Sequence, residues 1–186
     1  MAKRLVLKGH EVHVITAYLK GDKNKSFNTL IDGISVHWIP VPYSNYMSFQ
    51  KRIWAFIKFS LYSIPVVIKN KSDLIFATST PLTIALPAII AKRWARIPMI
   101  FEVRDLWPEL PVAIGALKNV LLIKFAKFME LAAYKNSSAI IALSPGMKAG
   151  VVKRGISPTK VGVVPNSADI SRFTSLEKLK EYEVFS

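Results

Sequence analysis

A chain of 186 residues, 51% hydrophobic and 20% charged, is one ordinary domain with a substantial core, neither disordered nor low in complexity. It has no cysteine, which excludes disulfides and thiolate metal sites and fits a cytosolic protein. The formal net charge of +14 attracts polyanions or anionic lipid surfaces and says nothing about the fold.

In chain order, residues 2–8 are expected to form the end of a helix, stopped by Gly9. The only apolar run before Lys8 is Leu5-Val6-Leu7, so no signal peptide is expected. Residues 11–16 alternate and are β-branched, which predicts a strand. Residues 20–32 are polar and close on an Asp32-Gly33 turn, and a second strand over 34–39 is ended by Pro40 and Pro42. A helix follows over 48–63, with Pro65 kinking or ending it. The stretch 49–68 is the longest apolar one, but Lys51, Arg52, Lys58 and Pro65 interrupt it. A membrane-spanning helix needs about 20 predominantly apolar residues, so this stretch is not expected to span.

Further along, 73–77 is a short buried strand, and Thr80 can cap the next helix with Pro81 at its first position. That helix runs to about Ala95, with Lys92, Arg93 and Arg96 at the end where cations are preferred. A strand over 99–103 leads into a Trp-Pro-Glu-Leu-Pro loop. Residues 117–134 form a helix apolar on most faces, expected to be largely buried. A strand over 138–143, a short helix capped at Ser144, a last strand over 160–164 and a charged helix or tail over 176–185 complete the chain. Strands alternating with helical crossovers of about 15–20 residues predict an α/β fold, a Rossmann-like, doubly wound parallel sheet. Such a sheet normally opens with a strand, whereas this chain starts inside a helix, so its first strand is expected to be missing.

The segment Phe101-Glu102-Val103-Arg104-Asp105-Leu106-Trp107-Pro108-Glu109 carries the main chemical signal. An apolar strand runs into a charged pair, and the carboxyl ends of parallel strands are where such sheets bind ligands. The Asp105 carboxylate there can accept a hydrogen bond from an attacking hydroxyl and draw off its proton. Arg104 can hold that carboxylate ionised or meet a phosphate, and the two can also make a plain structural loop pair. Trp107 can be a sugar platform or a core plug under the loop, and Glu102 either supports Arg104 or faces solvent. Thr78, Ser79 and Thr80 end one strand and open a helix, a setting for phosphate binding or for ordinary capping. Ser144 has the same two readings. His10 and His13 mark a helix stop and strand entry. His37 alternates within a strand with no ligand partners nearby, so no metal site is expected. Dinucleotide and P-loop fingerprints are absent, and no cofactor is expected.

A second signal is the basic, aromatic-rich stretch 43–62. No acidic residue occurs from Gly33 through Ser72. Phe49, Ile53, Phe56, Ile57, Leu61 and Ile64 share one helical face, Lys51, Lys58 and Tyr62 another, with Trp54 between them. Such a helix, with Lys51, Arg52, Trp54 and Lys58 as contacts, can lie on an anionic membrane or be a sheet-covering helix with a solvated lysine face.

Together with Lys8-Gly9-His10-Glu11-Val12-His13-Val14, Thr78-Ser79-Thr80-Pro81-Leu82, 139–144 and Val163-Val164-Pro165-Asn166-Ser167-Ala168-Asp169, the segment 101–109 resembles the acceptor-binding N-terminal domain of family-four glycosyltransferases, retaining enzymes of the GT-B fold. The resemblance spans roughly 1–173, leaving 174–186 as a charged tail or the start of an interdomain connection. Ser167 replaces the family's glycine in a Pro-Asn-Gly-Val-Asp turn. The resemblance implies bacterial enzymes building cell-surface polysaccharide, such as capsule or O-antigen, on a lipid carrier. It also implies acceptor binding near Asp105, with Arg104, Trp107, Glu109, Thr78 and Ser79 as substrate contacts. The nucleotide-sugar donor is expected on a C-terminal domain beyond this chain. Its expected partners are therefore a lipid-linked glycan acceptor, an anionic membrane surface on the cytoplasmic face and the donor-binding domain, and the chain alone is expected to be inactive. The competing reading is a nonenzymatic basic module binding anionic membrane or nucleic acid. Basic residues scattered over several helices, with no nucleic-acid-binding motif, argue against nucleic acid. A membrane partner that has lost catalysis is the third reading.

Overall fold

The computed structural model describes residues 1–20, 23–44, 46–109, 112, 115 and 118–167, without the Phe49 side chain. The expected tail over 176–185, the assigned segment 174–186, Leu117, part of the Trp-Pro loop (Leu110 and Pro111), Ala168 and Asp169 lie outside the described residues. Helix α1 (Ala2–Leu7) is followed by β1 (Val12–Tyr18), β2 (Phe27–Ile31), β3 (Ile34–Pro40) and α2 (Phe49–Lys69). Then come β4 (Ile75–Thr78), a 3-10 turn (Leu82–Ile84), α3 (Ala85–Trp94) and β5 (Met99–Val103). Helix α4 (Val120–Asn136), β6 (Ala139–Ala142), α5 (Pro145–Lys153), a second 3-10 turn (Pro158–Lys160) and β7 (Val161–Val163) end the described chain.

The expected α/β architecture with a parallel sheet is present. Strands β4, β5, β6 and β7 form a four-stranded sheet in that order, parallel at every step. Its middle strand alternates inward apolar residues, Met99, Phe101 and Val103, with half-buried Ile100 and Glu102. Phe101 meets Tyr134 of α4 edge to face, and Ile140, Ala142 and Val151 complete the core around them. Each large side chain buried there contributes about 1.5–3 kcal/mol, which is why the sheet centre is assembled from β-branched, aliphatic and aromatic residues.

Two features of the strands differ from the sequence expectation. The polar stretch over 20–32 contains β2, which pairs antiparallel with β3 around Asp32-Gly33. The turn supplies positive φ at both residues, the demand of a tight hairpin. Alternating apolar residues were too few to betray β2, because its outer positions are exposed. Second, the strands fall into two hydrogen-bonded sheets, β1-β3-β2 and β4-β5-β6-β7. Between them His13 and Ile15 of β1 face Ile75 and Ala77 of β4 across a cavity of about 170 Å³, roofed by α2 and α3.

Helix α2 is longer than expected and carries Pro65 inside it. Its inward face also differs, since the buried positions are Ala55, Ser60 and Ser63, while Leu61 is exposed. Small residues let α2 approach the 3-10 turn closely. Ser60 Oγ lies within hydrogen-bond distance of the Phe56 carbonyl and, at 2.8 Å, of the Thr83 carbonyl, and its one hydrogen is shared between them. Among the described residues no helix is long and apolar enough to cross a membrane.

His37, without ligand partners in the sequence reading, is tied to three side chains. Its Nε2 lies 3.0 Å from His13 Nδ1 and 3.2 Å from Asn70 Nδ2, and its Nδ1 lies 2.9 Å from Asn28 Oδ1. Glu11 completes the chain at His13 Nε2. Burial, and then the neighbouring His13, lower the His37 pKa from the ordinary 6.5. The unfolded chain therefore takes up this proton at higher pH than the folded one. The stabilisation is present above pH 6.5 and is lost as pH falls through the lowered value. Urea midpoints measured across that range should fall with pH in the wild type and fall less steeply in His37→Asn.

Candidate functional site

The carboxyl end of β5 is built as a clamp. The chain leaves Val103 into Arg104 and Asp105, and Ser79, at the end of β4 and 1% exposed, reaches across beneath them. Ser79 Oγ accepts the backbone N–H of Arg104 at 2.8 Å and of Asp105 at 3.3 Å, while its own N–H donates to the Glu102 carbonyl. One hydroxyl thus satisfies two donors that the parallel ladder has just released, and it sets the direction in which Asp105 leaves the sheet. Thr80 Oγ1 donates to Asp105 Oδ2 at 3.2 Å. The peptide bonds before Pro81 and Pro108 are both cis. Below the loop, a Cβ on Gly150 of α5 would stand 2.8 Å from Leu106 Cδ1, so the glycine lets α5 come up against the residue next to Asp105.

These contacts decide against three readings left open by the sequence. Thr80 does not cap α3: the helix is preceded by the 3-10 turn, neither has a side-chain cap, and the Thr80 hydroxyl goes to Asp105 instead. Nor do Arg104 and Asp105 form a structural loop pair, since neither enters an ion pair among the described residues. Glu102 does not support Arg104 by an ion pair either. Arg104 is exposed beside the half-buried carboxylate. Ser144, by contrast, does cap its helix, accepting the Met147 N–H at 3.2 Å.

Ser79→Ala removes the buried acceptor for two backbone N–H groups. Leaving such donors unsatisfied costs on the order of 1–3 kcal/mol each, so the variant is expected to lose about 2 kcal/mol or more of stability, measured by urea denaturation. Ser79→Thr, which keeps the acceptor, should recover part of it.

Two surroundings converge on this rim. On one side Glu109 reaches α5, its carboxylate 3.6 Å from Arg154 Nη2, and the same nitrogen lies 2.9 Å from Glu130 Oε2. Glu130 is buried and accepts from Tyr134 Oη at 3.1 Å. Burial raises the Glu130 pKa, against a lowering by Arg154, and burial together with Glu130 pushes the Tyr134 hydroxyl far above its usual range. Nothing in the sequence pointed to this four-residue network, because its members lie on α4, at the end of α5 and in the loop after β5, and only packing brings them together.

On the other side lies an apolar groove of about 500 Å³ between α2 and α4. Thr80, Pro81 and Trp107 line its rim end, and Ile53, Phe56, Phe125 and Met129 line its walls. Trp107 packs on the core, as a plug under the loop would, and also lines the groove. Arg52, half-buried, stacks its guanidinium over Tyr43, and its Nε is a buried donor with no hydrogen-bond partner. Lys51, Trp54 and Lys58 are exposed on α2, with Lys58 over the Tyr62 ring. Thr78 is half-buried at the strand end, in register with Glu102. No group of three or more metal-ligating side chains occurs among the described residues.

A parallel α/β sheet with charged groups at its strand ends is one half of a GT-B glycosyltransferase in outline, and solved structures carry the same fold. Sucrose-phosphate synthase from Thermosynechococcus elongatus superposes with a TM-score of 0.66 at 11% identity, covering 100% of this chain and 92% of that one. HepE of Anabaena, solved in complex with UDP and glucose, gives 0.50 at 18% identity, covering 82% of this chain. This chain spans only 37% of that HepE chain. The profile of Glycosyltransferase Family 4 matches residues 1–172, and the chain belongs to that family. No curated protein matches it at a significant level.

Proposed function

We propose that this domain presents a lipid-linked glycan acceptor to a nucleotide-sugar held by a second domain, at the cytoplasmic face of a membrane, in the building of a cell-surface polysaccharide. The observation that carries the reading is Asp105. Its carboxylate stands at a strand end, turned outward by the Ser79 clamp and oriented by Thr80. A carboxylate so placed accepts a hydrogen bond from the acceptor hydroxyl and aligns its lone pair for attack on the donor's anomeric carbon. The proton leaves either to this carboxylate or to the departing phosphate. Exposed Arg104 next to it offers a guanidinium to phosphate oxygens. HepE was solved with UDP and glucose, which supports a nucleotide-sugar as donor for the second domain.

Helix α2 supports the membrane part. Lys51, Trp54 and Lys58 are exposed on a helix from an acid-free stretch, and anionic lipid is worth about 1 kcal/mol per nearby Lys or Arg. Co-sedimentation with vesicles of phosphatidylcholine and phosphatidylglycerol tests it. The chain is expected to bind these vesicles and not pure phosphatidylcholine, and Lys51→Glu with Lys58→Glu should weaken binding about tenfold or more. Binding indifferent to lipid charge would remove the membrane reading. Sugar transfer by this chain on its own would remove the proposal that a second domain supplies the donor.

A further inference from the structure

We propose that the groove between α2 and α4 holds the hydrocarbon chain of an anionic membrane lipid, and that the first half of α4 is a second membrane-seated element beside α2. The inference rests on the membrane reading above and names where the lipid sits.

Helix α4 was expected to be largely buried, and its first half is not. Leu121 is 75% exposed, Phe128 67% and Phe125 56%, and Val120 and Leu122 are exposed as well. The helix start is nonetheless fully formed, because Asn119 Oδ1 accepts the N–H groups of Leu121 and Leu122. These side chains are therefore held outward by a capped helix. A contiguous apolar face of this kind marks an interaction surface. Its surroundings say what kind. Lys118, Lys124 and Lys127 are exposed around it, and no acidic residue stands between Glu109 and Glu130. Helix α2, on the other side of the groove, also comes from an acid-free stretch, 33–72. Both walls are thus apolar and cationic at once. A second copy of the chain would bring the same lysines and a net charge of +14 against them. An anionic lipid surface is complementary in both respects.

The groove has the matching internal order. Leu122, Phe125, Ala126 and Met129 form the α4 wall and Ile53 and Phe56 the α2 wall, a lining suited to a hydrocarbon chain and to little else. Among the described residues the polar groups on it are few, and Arg52 is the one cation, with a buried Nε that has no hydrogen-bond partner. Thr80, bonded to Asp105, stands at the rim. A lipid whose chain lies between the helices would bring its phosphate to Arg52 and leave the attached sugar directed toward Asp105.

The test uses farnesyl phosphate below its micelle concentration, titrated calorimetrically into the full chain, alongside the same vesicles. Saturable binding is expected. The groove-filling variants Ala126→Trp and Leu122→Trp should each weaken it about tenfold or more, and Arg52→Gln should weaken farnesyl phosphate while leaving farnesol unchanged. Leu122→Trp sits at an exposed position, so it remains informative if Ala126→Trp fails to fold by circular dichroism. Leu121→Asp with Phe128→Asp, outside the groove lining, should abolish vesicle binding and spare farnesyl phosphate. Absence of saturable binding, wild-type affinity in the filling variants, or undiminished vesicle binding in the aspartate variant would each overturn the proposal. So would a concentration-dependent dimer that the aspartate variant dissolves without any change in lipid binding. If the wild type ignores vesicles, the membrane reading itself fails; if it binds them through Lys51 and Lys58 alone, only the groove and α4 fail.

Discussion

Asp105→Asn is expected to lower the rate of sugar transfer by about two to four orders of magnitude in an assay with the donor-binding domain present, while the fold and its melting temperature stay at wild-type values. Asparagine keeps the size of the side chain and an oxygen that can accept the Thr80 hydroxyl, so the rim geometry at 3.2 Å survives. What it removes is the negative charge that aligns and polarises the attacking hydroxyl. The effect should therefore fall on kcat more than on KM, since the amide still packs against the acceptor but no longer favours the transition state. Thr80→Val is the companion measurement. It frees the carboxylate to rotate while leaving it charged, and a smaller loss, on the order of tenfold, is expected from misalignment alone. Turnover unchanged in Asp105→Asn would end the assignment of this carboxylate to the chemistry. A collapse of stability would instead make it a structural residue.

The second large effect is thermodynamic. Arg154→Leu should destabilise the domain by about 3–5 kcal/mol, because it leaves the Glu130 carboxylate buried without its cation. Glu130 is 2% exposed, and only the Tyr134 hydroxyl remains to satisfy it. The sign of the pH dependence follows from its raised pKa. The folded state already holds this proton more tightly than the unfolded chain, so the contribution favours folding below 4.5 and is lost as pH rises through the raised value. Removing Arg154 takes away the largest lowering influence on that pKa, so the deficit of the variant should be widest near neutrality and shrink in acid. Urea unfolding at acid and neutral pH measures it. Glu130→Leu combined with Arg154→Leu should recover much of the loss, since replacing both partners by apolar groups removes the orphaned charge. Because Arg154 also meets Glu109, four residues beyond Asp105, the same variant loosens one side of the rim loop.

How much of this was legible beforehand varies with the range of the interactions. Strand β5 occupies the expected residues, and β6 and β7 fall within a residue or two of their expected bounds, because buried parallel strands are short apolar runs with few alternatives. The Ser144 cap was legible for a similar reason: a serine before Pro-Gly at a helix start bonds locally. Thr80, in the same kind of sequence, escaped the rule because a carboxylate from another strand end competed for its hydroxyl. The hairpin strand β2 was missed, since four of its five residues are exposed and supply no hydrophobic period. Helix α4 misled in the opposite direction. Its apolar residues were assigned to the interior by composition, whereas the sheet offers it only enough surface to bury Met129, Ala133, Tyr134 and their neighbours.

By itself, then, the sequence determined the alternating α/β order, the parallel sheet and the strand end on which Asp105 stands, all of which depend on residues near one another along the chain. Tertiary structure alone decided the Ser79 clamp beneath that carboxylate, the Glu109–Arg154–Glu130–Tyr134 network, the division of the strands into two sheets and the apolar groove between α2 and α4. Each of these joins segments tens of residues apart. Their contacts are set by how helices share a limited sheet surface, and no local pattern of side chains records that competition.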